Sequence, residues 1–219
     1  MGMHEYFKSL SDLEKINRCP GKFKYEEHSV AAHSFKVTKI AQFLGTVEEK
    51  AGKEVDWRSL YEKALNHDYT EIFIGDIKTP VKYADPDLRE RLATVEETMA
   101  HHFIDQEIPE EFQEVYRNRF KEGKDDSLEG KILSVADKVD LLYESFGEIQ
   151  KGNPESLFTE IYEESLVTIL EFKELDSVQY LLKEILPDLI SGEFTNQSEL
   201  ERRTSKILKE RNAEQTFAN

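Results

Sequence analysis

The sequence is poor in cysteine, glycine and proline, and it has no long apolar run. Its 219 residues include one cysteine, Cys19, ten glycines and six prolines. A single cysteine excludes an internal disulfide and is typical of a reducing compartment. No apolar run reaches the roughly 18 residues of a membrane-spanning helix, and the first ten residues, MGMHEYFKSL, lack the apolar core of a signal peptide. We therefore expect a cytoplasmic protein with no membrane partner.

Positive charge is also scarce. The chain has 29 lysines and arginines against 45 acidic residues, which gives a formal net charge of −16. This charge disfavours nucleic acid as a partner, because a broad face of the protein would be repelled by the phosphate backbone. A small phosphorylated substrate is compatible with it, since a bound cation reverses the local field. The 38% hydrophobic and 11% aromatic content indicates a folded core.

The hydrophobic periodicity is helical along most of the chain. Apolar residues recur at three- and four-residue spacing in successive segments, and Ser29 and Asp56 are predicted N-caps of two of them. Alternating apolar and polar residues flanked by hairpin turns are missing. The pattern predicts an all-α fold, with a single compact multi-helix bundle over residues 1–195 and a polar helical C-terminal tail over residues 196–219.

Ionisable side chains fall on the apolar faces of three predicted helices. His33 and His67 are in register with apolar neighbours, Asp68 follows His67, and Asp137 lies on the rim of a strongly apolar helix. An ionised carboxylate in such a place is costly unless it is paired. Imidazole nitrogens and carboxylate oxygens together suit a divalent transition metal. A single buried histidine is more often a hydrogen-bonded core residue, so the residues alone leave both interpretations open.

Other charged residues are interpreted as solvent-exposed. Arg89, Glu96 and Glu97 fit a solvated helix face. The adjacent histidines His101 and His102 diverge by roughly 100° on a helix, so they are not expected to bind one ion.

The order His33, His67–Asp68, Asp137 resembles the HD-domain metal phosphohydrolases, whose signature is H…HD…D on a helical bundle. Four segments resemble the YfbR-like 5′-deoxynucleotidases within that group: INRCP at 16–20, HS at 33–34, HDYTE at 67–71 and GDIKTPVKY at 75–83. The last segment is the specific one, because the HD doublet belongs to many activities. The resemblance covers roughly the N-terminal two-thirds of the chain.

The resemblance implies a metal-dependent active site. His33, His67, Asp68 and Asp137 match the metal ligands, and such a set fits cobalt, manganese, iron, nickel or zinc. Glu71 matches the catalytic position that activates the hydrolytic water. Helical spacing also places Glu71 on the same face as His67 and Asp68 if the helix continues.

The resemblance also implies a nucleotide pocket. Arg18 matches the catalytic arginine that orients the phosphate, and its planar guanidinium suits that task. Cys19 stands where the family usually has a tryptophan linked to discrimination against the ribose 2′-hydroxyl, so we expect weak discrimination here. The other substrate-binding positions implied are His33, Asp68, Asp76, Ile77, Lys78, Thr79 and Asp137.

The implied function is hydrolysis of (deoxy)nucleoside 5′-monophosphates to nucleoside and phosphate by a metal-dependent homodimer. One alternative is another HD hydrolase activity, on a nucleotide polyphosphate or a cyclic dinucleotide. A second is a catalytically silent HD domain that binds nucleotide or metal, although Glu71 beside the four ligand positions disfavours it. A third is a structural bundle whose histidines and aspartates pair with one another.

Overall fold

The computed structural model describes residues 3–77, 85–121, 123–194 and 196–216, without the side chains of 212–216. Within these ranges there is no β-strand, and an isolated antiparallel bridge joins Asn17 to Ser29. The prediction of an all-α fold is confirmed. No helix in the described part is long and apolar enough to cross a membrane. The predicted substrate-binding residues Lys78 and Thr79 lie outside the described residues.

The helices differ in length, and the connection between the first two spans residues 14–29. In chain order they are α1 (His4–Leu13), α2 (Val30–Lys50), α3 (Trp57–Asn66), α4 (Glu71–Ile74), α5 (Pro86–Glu107), α6 (Glu110–Arg119), α7 (Leu128–Gln150), α8 (Ser156–Leu170), α9 (Asp176–Tyr180), a π-helical turn (Leu181–Ile185), α10 (Leu186–Ile190) and α11 (Gln197–Thr216).

Side-chain caps determine where the helices around the site begin. The Ser29 hydroxyl accepts a hydrogen bond from the Ala32 N–H, and the Asp56 carboxylate accepts one from the Ser59 N–H. Both predicted N-caps are therefore confirmed. Ser127 caps α7 in the same way. Each cap satisfies a backbone donor that the first helical turn leaves without a partner.

Two apolar clusters stabilise the fold. The larger lies among α2, α3, α7, α8 and the helical segments after α8, and it includes the fully buried Leu60 and Leu133. The smaller lies beside α1, α4 and α5, where the rings of Tyr69 and Phe120 stack with centroids 4.2 Å apart. The α2 and α7 helices supply the long rigid elements on which polar side chains can be positioned.

The C-terminal helix α11 packs on α8. Leu200 is 2% exposed, and the buried Thr204 hydroxyl lies 2.9 Å from the Tyr162 hydroxyl. Arg203 donates to Glu163 at 2.7 Å. The helical character expected of the tail is present over Gln197–Thr216. The division of the chain at residue 195 stays a prediction.

Candidate metal centre

Four side chains converge where α2, α7 and the end of α3 meet. Nε2 of His33 lies 3.3 Å from Nε2 of His67, 3.3 Å from Oδ2 of Asp68 and 3.2 Å from Oδ1 of Asp137. Nε2 of His67 lies 3.3 Å from Oδ2 of Asp68. Metal–ligand bonds of about 2.1 Å place neighbouring ligand atoms about 3.0–3.4 Å apart in octahedral and tetrahedral sites. The separations among His33, His67 and Asp68 therefore fit a small divalent ion, and Asp137 is placed beside them by its contact with His33.

The outer ring nitrogens determine how the two imidazoles face each other. Nδ1 of His67 lies 2.9 Å from the Ala64 carbonyl oxygen, and Nδ1 of His33 lies 2.6 Å from Oδ2 of Asp140. Because a carbonyl or a carboxylate can only accept, both Nδ1 atoms carry the ring proton when the rings are neutral. Both Nε2 atoms then direct lone pairs at each other across 3.3 Å. A metal cation, or in its absence a proton on one of the two nitrogens, relieves this repulsion, so the donor set is compatible with a metal.

The electrostatics of the cluster favour a positive charge at the same place. Burial and a nearby guanidinium oppose a charge on His33, yet hydrogen bonds with three carboxylates raise its pKa to about 10. Burial also opposes the charge on Asp68, but the two imidazoles hold its pKa well below the usual range. For Asp137, burial is outweighed chiefly by Lys124, and its pKa is likewise well below the usual range. Both carboxylates are therefore ionised at neutral pH.

The chain between α3 and α4 departs from the sequence expectation. Helix α3 ends at Asn66, residues 67–70 form turns, and α4 begins at Glu71, so the helix does not continue from His67 to Glu71. The Glu71 N–H donates to the Asp68 carbonyl oxygen at 3.1 Å, which keeps the two residues close. The Glu71 side chain, 7% exposed, still reaches the same cavity as Asp68.

Arg18 reaches the cluster from the loop before α2. A backbone hydrogen bond from the Arg18 N–H to the His28 carbonyl oxygen, 2.8 Å, closes this loop at its base. The guanidinium places NH1 3.3 Å from Oδ2 of Asp68 and Nε 3.6 Å from Oε2 of Glu144. Burial opposes its charge, but the surrounding carboxylates raise the pKa of Arg18 above its usual value. Arg18 is a permanent cation beside the candidate ligands.

Cys19 connects this loop to the segment after α4. Its φ of 50° is in the left-handed region, and its N–H donates to Oδ2 of Asp76 at 2.8 Å. The Cys19 side chain lines a small void of about 10 Å³ together with Phe158. Burial, with a smaller contribution from Asp76, raises the pKa of the Cys19 thiol. The structure thus places the backbone of Cys19, rather than its sulfur, in contact with a predicted substrate-binding residue.

A cavity of about 460 Å³ opens beside the cluster, a size that suits a small organic ligand. Of the described residues predicted for the site, His33 and Cys19 are not on the cavity wall: His33 is fully buried, and Cys19 lines the separate small void. The predicted site residues that line the cavity are Arg18, His67, Asp68, Glu71, Asp76, Ile77 and Asp137.

Helix α5 also contributes charged residues to the cavity wall. Arg89, Glu96 and Glu97 line it, although they are partly or largely exposed. The Thr70 hydroxyl donates to Oε1 of Glu96, which directs that side chain toward the site. The interpretation of these three residues as an ordinary solvated face was therefore incomplete, because the packing of α5 was needed to show which way they point.

Two further residues were missed from the sequence. Nζ of Lys124 lies 2.9 Å from Oδ2 of Asp137 and lines the cavity. Asp140 contacts His33, as described above. The three-residue spacing of Asp137 and Asp140 was a usable signal, since it places both on one face of a helix. Lys124 lies in a charged loop, where no periodicity identifies it.

The comparisons with known proteins agree on one group. A family model described as 5′-deoxynucleotidase YfbR-like matches residues 5–189. The 5′-deoxynucleotidase YfbR of Escherichia coli O1:K1 / APEC is 26% identical over 188 residues, which are 85% of this chain and 92% of the relative. The crystal structure of an HD-domain phosphohydrolase from Listeria innocua has a TM-score of 0.91 and 66% identity, and the match covers 96% of this chain and 100% of that chain.

A more distant structure shares the fold. The HD phosphohydrolase DatZ of cyanophage S-2L, bound to dA and one catalytic Zn²⁺ ion, has a TM-score of 0.52 and 16% identity. That match covers 93% of this chain and 96% of the phage chain. At this identity the similarity shows the architecture of the helical bundle.

Proposed function

The chain belongs to the YfbR-like 5′-deoxynucleotidase family and is an HD-domain phosphohydrolase, and from this premise we propose that it hydrolyses nucleoside 5′-monophosphates to nucleoside and phosphate. The observation that carries the proposal is the cavity that ends at His67, Asp68 and Asp137. Its volume suits one nucleotide, and its inner end has ionised carboxylates and cations. A homodimer in the cytoplasm remains the expectation for its assembly and location.

We assign the metal to His33, His67, Asp68 and Asp137. Two imidazole nitrogens and two carboxylate oxygens are compatible with cobalt, manganese, iron, nickel or zinc. A divalent ion bound there supplies a Lewis acid for a phosphoryl oxygen and lowers the pKa of a water molecule toward neutrality. The convergence of His33, His67 and Asp68 on one point, together with the family match, supports this assignment over a bundle whose polar residues merely pair.

The remaining residues position and activate the reactants. Glu71 acts as the general base that takes a proton from the attacking water, and it lines the cavity beside Asp68. Arg18 and Lys124 offset the negative charge of the phosphoryl oxygens in the transition state. In the structure each of these cations is paired with a different candidate ligand, Asp68 or Asp137, so they flank the centre from two sides.

The expected sugar specificity rests on the family position and small size of Cys19, which lines the small void next to Arg18 rather than the cavity itself. A steric wall is an effective way to reject ribose, because an apolar pocket rejects an added hydroxyl only weakly. The small Cys19 side chain provides no such wall at the position where the family usually has tryptophan. We therefore expect the kcat/KM values for AMP and dAMP to lie within about tenfold of each other, a difference of about 1.4 kcal/mol in transition-state binding.

The test is a phosphate-release screen. Ribo- and deoxynucleoside 5′-monophosphates are assayed with cobalt, manganese, iron, nickel or zinc, and nucleoside triphosphates and cyclic dinucleotides serve as competing substrates. We expect orthophosphate from the monophosphates and little turnover of the others. Pyrophosphate or triphosphate as the main product would contradict the proposal and indicate another HD hydrolase activity. A metal-loaded protein that binds nucleotide without turnover would favour the silent binding domain.

A further inference from the structure

Helix α7 contacts both ring nitrogens of His33. Oδ1 of Asp137 lies 3.2 Å from Nε2, and Oδ2 of Asp140 lies 2.6 Å from Nδ1. The two carboxylates are three residues apart, so they project from one face of the helix. The His33 side chain is fully buried and Asp140 is 2% exposed. Two carboxylates of one helix thus contact the two ring nitrogens of His33 and orient the imidazole.

A second contact extends this arrangement along α2 and α7. Lys36 lies one helical turn after His33, and its Nζ is 3.0 Å from Oδ1 of Asp140 and 2.9 Å from Oε1 of Glu144. Glu144 follows Asp140 by four residues on α7. We call Asp140, Lys36 and Glu144 the α2–α7 ladder. Both oxygens of Asp140 therefore have a partner, one on His33 and one on Lys36.

Glu144, at the far end of the ladder, contacts Arg18, the candidate phosphate-binding residue. Oε2 of Glu144 lies 3.6 Å from Nε of Arg18, and NH1 of Arg18 lies 3.3 Å from Oδ2 of Asp68. Asp68 in turn lies 3.3 Å from Nε2 of His33. The contacts form a closed circuit, and the ladder joins His33 to Arg18 through three residues that do not line the cavity.

Burying such a set of charged groups in a protein interior costs free energy of folding. A buried carboxylate is destabilising unless it is fully paired, and well-packed apolar residues of the same volume are often equal or better for stability. The ladder puts two carboxylates of low exposure against the main apolar core, with side-chain exposures of 3% for Asp140 and 10% for Glu144. Orientation of the groups that they contact explains their presence better than stability does.

We propose that Asp140, supported by Lys36 and Glu144, is a positioning residue that fixes the His33 imidazole with its Nε2 lone pair toward the metal, and that the same ladder holds Arg18 in place. The proposal rests on the metal assignment of the proposed function. In this proposal Asp140 is not itself a metal ligand. Its effect is exerted through the tautomer and the orientation of His33.

The chemistry of residue 140 determines the expected change. A carboxylate only accepts hydrogen bonds, so it keeps the proton of a neutral His33 on Nδ1. In Asp140→Asn the amide can present its NH₂ group to Nδ1, and the proton then moves to Nε2, where it blocks the ligand position. Loss of such an outer partner typically weakens metal binding by about 10–100-fold. We expect a loss in that range for Asp140→Asn.

The experiment measures Co²⁺ affinity of the full chain by chelator competition, without nucleotide, together with the visible absorption spectrum of the bound Co²⁺. The matched control is Glu48→Gln. Glu48 is a fully buried α2 carboxylate that accepts from Lys53 and from the Ser177 N–H, away from the site. We expect Glu48→Gln to lower the melting temperature while Co²⁺ affinity stays within twofold of the wild type. Asp140→Asn should weaken binding and change the spectrum.

Two further variants test the two ends of the ladder independently. Glu144→Gln should leave Co²⁺ affinity within about threefold but weaken inhibition by inorganic phosphate several-fold, because Arg18 loses a charged partner. Lys36→Met removes the second partner of Asp140 and should weaken Co²⁺ binding by a smaller factor than Asp140→Asn does. If Asp140→Asn fails to fold, Lys36→Met provides the decisive metal measurement.

The outcomes distinguish this proposal from the proposed function. Co²⁺ affinity and spectrum within twofold of the wild type in Asp140→Asn, or in Lys36→Met if the former is unfolded, would overturn the positioning role. Equal weakening of Co²⁺ binding in Glu48→Gln would also overturn the positioning role, because the loss of affinity would then reflect general destabilisation of the protein. A wild-type protein that binds Co²⁺ normally but releases no phosphate from nucleotides would refute the proposed function and leave the positioning role standing.

Discussion

Replacing Glu148 by glutamine should loosen the loop that carries Arg18. The Glu148 carboxylate is 1% exposed and accepts hydrogen bonds from the backbone N–H groups of Tyr25 and Glu26, each at 3.0 Å. It also accepts one from Nδ2 of Asn153 at 2.6 Å. All three partners are donors. A glutamine offers one oxygen, so its NH₂ group must face a donor and leave at least one partly buried N–H without an acceptor.

The magnitude follows from these contacts. One unsatisfied, partly buried donor and the loss of charge assistance cost about 2–4 kcal/mol in the free energy of unfolding. In a chain of this length, each kcal/mol changes the melting temperature by about 2–4 °C, so a decrease of roughly 4–16 °C is expected. The KM for nucleotide should also rise, because Arg18 lies in the loosened loop.

The effect should depend on pH with a defined sign. Burial opposes the charge of Glu148, but the hydrogen bonds from Tyr25, Asn153 and Glu26 outweigh it and lower its pKa from the usual 4.5. A carboxyl with a lowered folded-state pKa contributes its full stability above its unfolded-state value and loses it as the pH falls through the folded-state value. Glutamine does not titrate. The stability difference between wild type and Glu148→Gln should therefore be largest near pH 7 and shrink below about pH 4.5.

Urea unfolding at pH 7, 5 and 3.5 measures this difference. Glu26→Gln is the control, because this neighbour on the same loop has a side chain that is 61% exposed and is expected to change stability by less than about 0.5 kcal/mol. A Glu148→Gln variant within about 0.5 kcal/mol of the wild type at pH 7 would refute the reasoning. So would a difference of the same size at all three pH values.

Three predictions concern the metal centre. Asp68→Ala should lose bound metal and activity together, as measured by metal analysis and phosphate release; full metal occupancy in this variant would contradict the ligand assignment. Glu71→Ala should retain the metal but lose about 10²-fold or more in kcat, the usual scale for a general base; normal turnover would assign the base elsewhere. Lys124→Ala should raise the KM for nucleotide by about tenfold at low salt, since a charged hydrogen bond to phosphate contributes about 1.5–3 kcal/mol. An unchanged KM would remove Lys124 from the phosphate site, and Lys124→Arg should restore part of the affinity.

The sequence predicted those features that depend on local physics. Ser29 and Asp56 were identified as N-caps because a cap is determined by a few adjacent residues. The convergence of His33 with His67 and Asp68 was predicted from their place on apolar faces and from the family resemblance, and the structure brings them together. Their role as metal ligands stays a proposal.

Features that depend on tertiary packing were not predictable. The contact of Asp140 with His33 joins residues 107 positions apart, and it requires the register between α2 and α7. The direction of Glu96 requires the packing of α5 against the turn at Thr70. The interruption of the helix before Glu71 also escaped the pattern, because the residues after Asn66 have no glycine or proline to mark the break.

The unequal burial of the helices around the cavity has a consequence for how local opening can occur. Helix α7, which carries Asp137, has thirteen buried residues, whereas no residue of α6, which lies wholly within the described ranges, is buried. Segments with few buried contacts open locally at a small free-energy cost, while core helices open only with global unfolding. Arg117 of α6 lines the outer cavity. This part of the cavity wall can therefore open locally at a lower free-energy cost than α7, which holds Asp137 against the main core.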